Sequence, residues 1–427
     1  PHDKGIIERV MHVNEISRHP FDEGVQDGRV VFMEDEIDPA FVSAVLKQAT
    51  TGPRELSVVY TPLHGVGATA VLPVLQRAGF QDVRLYAPQA EPNGDFPNVP
   101  GHVANPENPE VLTGAIEEAR SRSDDIVMAS DPDCDRLGAA AAVGPEKDSE
   151  WKTFTGNQLG ALLTEWVLET KSRQNVLQST DTVVTTLVTS GLVRHIGEKH
   201  GVNVIDGLQV GFKWIGRTID DIGPEHFVFG CEESHGYLAG THVRDKDASV
   251  AALLLAELAA ELKAQGRTLH QKLDDLFCTH GCHLERQVAI KLPGAAGMDR
   301  MQEIMTGLRA NPPIELGGLT VRRTRDYGQL KVHDPDQGEL SFEGEQGDLV
   351  IFDLIDAEST GKKDSELLFP PLGNAVAARP SGTEPKIKFY LFAASQPTSP
   401  EELPAVKAVL ERRLNLLEED LRSRVGV

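Results

Sequence analysis

Apolar positions along the chain recur in two periods, and from about residue 36 short strand-like runs alternate with helical stretches. The run 56–60 (LSVVY) has the β-branched composition of a strand, 68–78 has helical spacing, and 83–86 is again strand-like. This order predicts a βαβ unit. A further apolar run, Ile126–Ser130, predicts a buried parallel strand, because strands covered on both faces are continuously hydrophobic.

The same alternation returns after Trp151 and ends at a predicted long amphipathic helix, Asp247–Lys263. After residue 281 the pattern gathers strands with two helices, which indicates an antiparallel sheet. We therefore predict an α/β fold of two tandem α/β domains with mixed, largely parallel sheets, followed by a C-terminal α+β domain with an antiparallel sheet. The predicted segments are 1–35, which has no sustained period, and the domains 36–147, 148–280 and 281–427.

Composition and charge exclude several classes of function. The chain has 427 residues, of which 40% are hydrophobic and 25% charged, as in an ordinary globular protein. A formal net charge of −23 argues against nucleic-acid and anionic-membrane partners. We find no membrane-spanning stretch, no secretory signal at the start, and only four cysteines, too few for a disulfide framework. We expect a cytoplasmic protein without nucleic-acid or membrane partner, and a monomer by default.

Three carboxylates, Asp131, Asp133 and Asp135, follow the Ile126–Ser130 strand at alternate positions, and Arg136 closes the group. In an extended segment alternate side chains point the same way, so the three acids would converge and repel one another without a cation. Oxygen ligands favour a hard ion such as Mg²⁺, and open α/β sheets bind ligands at the carboxyl ends of their strands. This motif predicts a Mg²⁺ site; the competing interpretation is a solvated acidic loop.

A second polar group lies between two predicted strands near the end of the chain. Arg379 offers a forked guanidinium, Ser381 and Thr383 offer hydroxyls, and Gly382 lets backbone N–H groups approach an anion. Lys388 adds positive charge without a geometric demand. The motif predicts a phosphate site, although a polar hairpin loop favours the same residue types.

Three weaker groups lie in the second predicted domain. Glu232 and Ser234 follow a strand and suit hydrogen bonds to vicinal sugar hydroxyls. Arg244 and Lys246 precede the long helix and could reach a phosphate or act in proton transfer. Lys213 lies in a glycine-flanked turn into a helix, which is a candidate anion-facing terminus.

Taken in order, DPDCDR, CEESHG with RDKDA, and RPSGTEPK resemble the α-D-phosphohexomutase family, most closely its phosphoglucomutase branch, over essentially the whole chain. The resemblance implies three α/β domains and one α+β domain around a cleft. It implies that Lys246 transfers a proton, as in some members. It also implies a set of ligands: Asp131, Asp133 and Asp135 for Mg²⁺, Glu232 and Ser234 for sugar hydroxyls, and Arg379, Ser381, Gly382 and Thr383 for the non-reacting phosphate.

One departure from the family pattern is as informative as the match. The family's nucleophile is a phosphorylated serine in a T-x-S-H-N-P loop, and the nearest string here, 17–20 (SRHP), lacks that pattern. We therefore expect the chain to correspond to domains two to four and to be inactive alone. For the intact parent the expected reaction interconverts glucose 1-phosphate and glucose 6-phosphate through phosphoserine and glucose 1,6-bisphosphate. Mg²⁺ would neutralise charge and Arg136 would orient the phosphoserine or the metal-bound oxygens.

Three alternatives stay open. A phosphomannomutase or phosphopentomutase would use the same skeleton. An aspartyl-phosphate phosphatase uses D-x-D-x-T/V, but Asp135 stands where that class needs Thr or Val. A non-catalytic phosphosugar-binding protein would bind hexose phosphate without turnover.

Overall fold

The computed structural model describes residues 3–292, 294, 296–355, 373–381 and 385–426. The chain divides into two units, 1–43 and 44–427. The first unit contains α1 (Asp3–Met11), α2 (Phe21–Gln26) and most of α3 (Glu34–Val45). These helices were not predicted, because α1 and α2 are only 9 and 6 residues long and carry too few turns for a clear period.

The second unit begins with a five-stranded sheet and two helices that cover it. Its elements are β1 (Ser57–Thr61), α4 (Val71–Arg77), β2 (Asp82–Leu85), α5 (Thr113–Arg122), β3 (Ile126–Ser130), β4 (Leu137–Ala142) and β5 (Trp151–Thr153). The strand order is β2-β1-β3-β4-β5. β1 is parallel to both β2 and β3, whereas β3, β4 and β5 pair antiparallel. Val59, Val127 and Ala140 of this sheet form one core with Ala115 and Ala119 of α5.

A second sheet follows with almost the same topology. Its elements are α6 (Gly156–Arg173), β6 (Thr182–Thr186), α7 (Gly191–His200), β7 (Asn203–Leu208), α8 (Phe212–Ile222), β8 (Phe227–Glu232), β9 (Gly236–Leu238), α9 (Ala248–Ala264) and α10 (Leu269–His280). The order is β7-β6-β8-β9, with β6 parallel to β7 and β8 and with β8 antiparallel to β9. The second sheet thus repeats the first four strands of the first sheet, β2-β1-β3-β4.

The last part of the chain forms an antiparallel sheet. Its elements are β10 (Cys282–Lys291), α11 (Gly297–Ala310), β11 (Glu315–Leu316), β12 (Leu319–Asp326), β13 (Lys331–Asp334), β14 (Gly338–Ser341), β15 (Val350–Ile355), β16 (Ala375–Pro380), β17 (Lys386–Ser395) and α12 (Leu403–Val425). The order is β10-β17-β16-β15-β12-β13-β14, and β11 pairs with β12. The predicted fold class is therefore confirmed: two mixed, largely parallel α/β sheets precede an antiparallel α+β sheet.

The long helix α9 corrects one expectation. It was predicted to be amphipathic, but it packs against both α4 and α6, so its faces are covered from two sides. Even Glu257 is only 1% exposed, and its carboxylate accepts hydrogen bonds from Thr50 N–H at 2.8 Å and Arg54 at 2.7 Å. Among the helices in the described ranges, α9 included, none is long and apolar enough to cross a bilayer.

Two local features bear on the domain organisation. Thr155 caps α6 through a reciprocal capping box with Gln158. The strand β5 lies after the predicted boundary at 147/148, yet it pairs with β4 in the first sheet. The domain bounds themselves remain a prediction.

Candidate functional site

The three aspartates of the first motif converge on one point. One carboxylate oxygen from each of Asp131, Asp133 and Asp135 lies within 4.8 Å of the others. The backbone that achieves this is not the extended segment that was expected: residues 131–136 form the hairpin loop between β3 and β4, and Cys134 adopts a left-handed conformation (φ 61°). A turn, rather than strand alternation, brings the acids together.

The chemistry of this loop suits a cation. Asp131 is 7% exposed, and its Oδ1 accepts the N–H groups of Asp135 at 3.0 Å and Arg136 at 2.9 Å. Burial raises the pKa of Asp131 to about 7, and the neighbouring Asp135 and Asp133 charges add to the shift. Asp135 Oδ1 is buried and has no hydrogen-bond partner among the described residues. An all-oxygen set with a buried carboxylate oxygen that makes no hydrogen bond to the described residues fits a hard divalent ion.

The turn after β1 holds this loop in place. Val66 N–H donates to Pro132 O at 2.9 Å. A Cβ on Gly65 would lie 2.1 Å from Pro132 Cα, so only glycine permits this approach. Because β1 and β3 are parallel neighbours, their carboxyl ends meet at one edge of the sheet, where ligands of α/β folds bind.

Arg136 lies against two of the aspartates and against Glu107. It donates to Glu107 at 2.9 Å, and its Nε is 3.6 Å from carboxylate oxygens of Asp131 and Asp135. Sequence reasoning missed Glu107, which lies in the Pro- and Asn-rich loop before α5 and has no motif around it. The signal in the sequence was indirect: Arg136, which bonds Glu107, closes the acidic motif.

Lys246 lies between the aspartate loop, residues 131–136, and Asp245 in the segment before α9. Its Nζ is 2.9 Å from Asp135 Oδ2 and 2.9 Å from Asp245 Oδ1, and 5.7 Å from the centre of the Phe212 ring. Burial alone would lower the pKa of Lys246, but Asp245 and Asp135 raise it above its ordinary value. The ammonium group is therefore charged at neutral pH.

The Glu232–Ser234 turn lies directly against the aspartate loop. Leu137 N–H donates to His235 O at 3.0 Å, and Arg136 forms a β-bridge with Gly236. Glu232 is 4% exposed; burial raises its pKa although Lys246 and Ser234 lower it. The structure thus brings the two predicted motifs of different sheets together through backbone hydrogen bonds.

Basic residues lie around a cavity between α8 and the antiparallel sheet. Lys213, Arg379 and Ser381 line this cavity of about 410 Å³. Lys388 is directly opposite Arg379 across β16 and β17, and its Nζ donates to Gln287 at 3.3 Å. Gly382 and Thr383 lie outside the described residues. The predicted phosphate loop therefore shares its cavity with the predicted anion-facing Lys213.

Arg244 has different partners. Its Nε donates to Asp220 of α8 at 2.8 Å and its Nη1 donates to the Thr241 and Val243 carbonyls. Asp247, two residues beyond Asp245, accepts the Ser249 N–H and begins α9 as its N-cap. These contacts give Arg244 a role in joining α8 to the loop before α9, and its predicted phosphate contact remains a prediction.

Two α/β sheets of matching topology, each followed by an acidic hairpin, and a C-terminal antiparallel sheet with a basic hairpin define an α/β protein with an α+β C-terminal part. Residues 39–144 match the profile "Phosphoglucomutase/phosphomannomutase, alpha/beta/alpha domain II", and residues 155–279 match the profile of domain III of the same family. Together the two matches cover more than half of the chain. The chain belongs to the phosphoglucomutase/phosphomannomutase family, the α-D-phosphohexomutases.

Relatives agree with this assignment. The chain is 34% identical to a phosphoglucomutase of Staphylococcus epidermidis over 341 residues, 79% of this chain and 57% of that protein. It is 32% identical to a probable phosphomannomutase of Haemophilus influenzae over 364 residues, 85% of this chain and 65% of that protein. The chain thus spans well under two thirds of the first relative and just under two thirds of the second.

Solved structures support the fold. The open form of parafusin, a phosphoglucomutase of Paramecium, superimposes with a TM-score of 0.55 at 17% identity, covering 95% of this chain and 63% of that one. A phosphoglucomutase/phosphomannomutase family protein of Burkholderia thailandensis gives 0.54 at 16% identity, covering 94% and 69%. At these identities the likeness concerns the fold alone.

Proposed function

We propose that this chain carries the metal, sugar and phosphate sites of a phosphohexomutase that interconverts glucose 1-phosphate and glucose 6-phosphate. One observation carries the proposal: the aspartate loop and the Glu232–Ser234 turn are joined by backbone hydrogen bonds, with Lys246 between them. A site for a cation and a site for sugar hydroxyls side by side are what phosphoryl transfer to a sugar requires.

Asp131, Asp133 and Asp135 would hold Mg²⁺, since their oxygens converge and a buried Asp135 oxygen makes no hydrogen bond to the described residues. Bound there, the ion would supply positive charge that neutralises a transferring phosphoryl group. Arg136 would orient these carboxylates, because its guanidinium already lies against two of them and is fixed from behind by Glu107.

The hexose would lie between the Glu232–Ser234 turn and the cavity lined by Lys213, Arg379 and Ser381. Glu232 and Ser234 would accept and donate hydrogen bonds with vicinal hydroxyls. Arg379 and Ser381 would bind the phosphate that does not react, together with Gly382 and Thr383, and Lys213 and Lys388 would add charge around the same cavity. A phosphate site separate from the acidic loop allows either phosphate of a bisphosphate to be held while the other reacts.

Lys246 would move the proton. Its Nζ is charged in the resting site, so it would donate a hydrogen to the sugar oxygen that is released from phosphate and retrieve it in the reverse direction. The phosphoryl carrier would be a phosphoserine outside these 427 residues, because the sequence contains no T-x-S-H-N-P loop. Glucose 1,6-bisphosphate would be the intermediate, and the chain alone would not turn over. A monomeric, cytoplasmic protein remains our expectation.

Calorimetric titration of glucose 6-phosphate into the chain, with a turnover assay containing Mg²⁺ and glucose 1,6-bisphosphate, tests the proposal. We expect saturable binding, its loss in Arg379→Ala, and no turnover. Absence of binding by the unaltered chain would overturn the proposal.

A phosphomannomutase is the second candidate, since the Haemophilus influenzae relative is named a probable phosphomannomutase. The two sugars differ only in the orientation of one hydroxyl, so Glu232 and Ser234 would discriminate between them. Titration of mannose 6-phosphate beside glucose 6-phosphate distinguishes the candidates: a tighter mannose 6-phosphate complex would favour the second.

A further inference from the structure

Glu233 stands between the two predicted sugar ligands but belongs to a different cavity. It lines a space of about 460 Å³ together with Tyr390 and Glu285, between the β8–β9 turn and the antiparallel sheet. Its Oε2 lies 3.4 Å from the Thr186 hydroxyl at the end of β6. The charge of Lys246, which pairs with Asp135, acts on Glu232. Glu233 instead lines a cavity beside β17, one of the two strands that flank the predicted phosphate loop.

The register of those strands places Tyr390 beside Arg379. Tyr390 is directly opposite Ala377, and Lys388 is directly opposite Arg379, on β17 and β16. Residues directly opposite and two apart share a face of a sheet, so all four side chains lie on the same face. Ala377 is small, which leaves room for a diagonal contact between the tyrosine and the arginine.

The Tyr390 hydroxyl is a buried group in need of partners. The residue is 3% exposed, and its oxygen has no hydrogen-bond partner within the described ranges. Burial raises the pKa of Tyr390, the Glu233 charge raises it further, and Arg379 lowers it, so both groups are near neighbours. A buried hydroxyl left without partners destabilises the fold, which favours an arrangement that supplies them.

We propose that Glu233 and Tyr390 position the Arg379 guanidinium for phosphate: Tyr390 accepts an N–H from Arg379 and donates its own hydrogen to Glu233. This inference rests on the proposed phosphate-binding role of Arg379 and adds two positioning residues to it. It also links the turn between β8 and β9, which carries Glu233, to the predicted phosphate loop between β16 and β17 of the antiparallel sheet.

The protonation state of Glu233 decides how well this arrangement works. Burial raises the pKa of Glu233 to about 8, and Glu232 adds to the shift. At pH 7 the acid is therefore neutral and can accept from Tyr390 without placing negative charge beside a phosphate. Ionisation above pH 8 would oppose a bound dianion. The other charged or titratable groups that face Glu233 are Glu107 and Lys388, and those that share its cavity are His235, Glu285 and Arg286.

The test is the affinity of the full chain for glucose 6-phosphate at pH 7 and pH 9, measured by calorimetry. A phosphate monoester is a dianion at both values, because its second pKa is about 6. If Glu233 must be neutral for full binding, the wild-type affinity falls about tenfold between pH 7 and pH 9, one unit above its pKa. Glu233→Gln mimics the neutral acid, so it should match wild type at pH 7 and bind about tenfold more tightly than wild type at pH 9.

Matched variants separate positioning from structure. Glu285→Gln removes another acid of the same cavity and should keep the wild-type fall between pH 7 and pH 9. Tyr390→Phe should weaken binding severalfold at pH 7. Parallel pH profiles for wild type and Glu233→Gln, or an unchanged affinity in Tyr390→Phe, would overturn the inference while leaving the proposed function intact. A chain that binds no glucose 6-phosphate at pH 7 would overturn both.

Discussion

The loop after β3 and the turn after β8 occupy the same place in two sheets of matching order, yet they are built differently. The first spans residues 131–136, and Asp133 within it is exposed. The second has only three residues between its strands, and Glu232 beside it is buried and faces Lys246. A longer loop gathers like charges that only a cation can satisfy. The tight turn fixes the buried Glu232 beside a cationic neighbour, which suits hydrogen bonding to neutral hydroxyls.

The largest predicted effects come from the two glycines that hold these loops. A Cβ on Gly65 would lie 2.1 Å from Pro132 Cα, and one on Gly156 would lie 2.0 Å from Glu233 O. Because both neighbours are backbone, each alanine variant should lose about 3 kcal/mol of unfolding free energy. Gly65→Ala should mainly weaken Mg²⁺ binding, and Gly156→Ala should mainly weaken glucose 6-phosphate binding.

Denaturant unfolding and calorimetry measure these effects. Gly94→Ala is the matched control, since no atom lies within 4 Å of its added Cβ. Loss of both ligands in either variant would show that the loops are one structural element rather than two.

Lys246→Met should move the two ligands in opposite directions. Lys246 competes with a cation for Asp135, so its removal should raise Mg²⁺ affinity about fivefold, as expected for one partly screened charge at close range. The same change leaves Glu232 without its nearest positive charge and should lower glucose 6-phosphate affinity. Calorimetry with each ligand measures both changes in affinity. Equal losses of affinity for Mg²⁺ and glucose 6-phosphate would contradict these two predictions.

The pH dependence of stability should respond differently to Glu233→Gln and to Asp133→Asn. The folded pKa of Glu233 is raised to about 8, from an unfolded value near 4.5. Its contribution is therefore fully present below pH 4.5 and is lost as pH rises through 8. Glu233→Gln should raise the melting temperature relative to wild type at pH 9 and change it little at pH 4.5. Asp133→Asn, in the exposed loop, is the comparison; a similar rise at pH 9 in that variant would remove the contrast.

The smallest predicted effect is at Glu107. Its bond to Arg136 is partly exposed, with side chains 22% and 32% accessible, so Glu107→Gln should cost about 1 kcal/mol or less. Mg²⁺ affinity should fall less than about threefold, because the backbone N–H groups that hold Asp131 remain. Thermal unfolding and calorimetry would measure both quantities, and abolished Mg²⁺ binding would mean that Arg136 is itself essential to the loop.

Local signals were sufficient where one element decides the outcome. The apolar run of β3 was predicted because its continuous hydrophobic composition is readable within a few residues. The strand β4 was missed, since its sequence LGAAAA favours a helix by propensity and forms a strand only through pairing with β3 and β5.

The candidate site shows the same division. Its aspartates, Glu232 and Arg379 were found from their own motifs. Glu107 and Tyr390 were missed because they act through residues far away in the sequence, and Glu233 was named only as part of an acidic pair. Turn geometry and strand register decide whether Glu232 or Glu233 faces a given cavity, and neither can be predicted from a single sequence.

The most direct test of the central claim is a paired titration of Mg²⁺ and glucose 6-phosphate into three proteins: the unaltered chain, Asp133→Asn and Glu232→Gln. We expect Asp133→Asn to lose Mg²⁺ binding and to keep its affinity for glucose 6-phosphate within about threefold, whereas Glu232→Gln should keep Mg²⁺ binding and lose at least about tenfold in affinity for the sugar phosphate. If each variant lost both ligands together, or neither variant lost any, the assignment of one ligand to each loop would be contradicted.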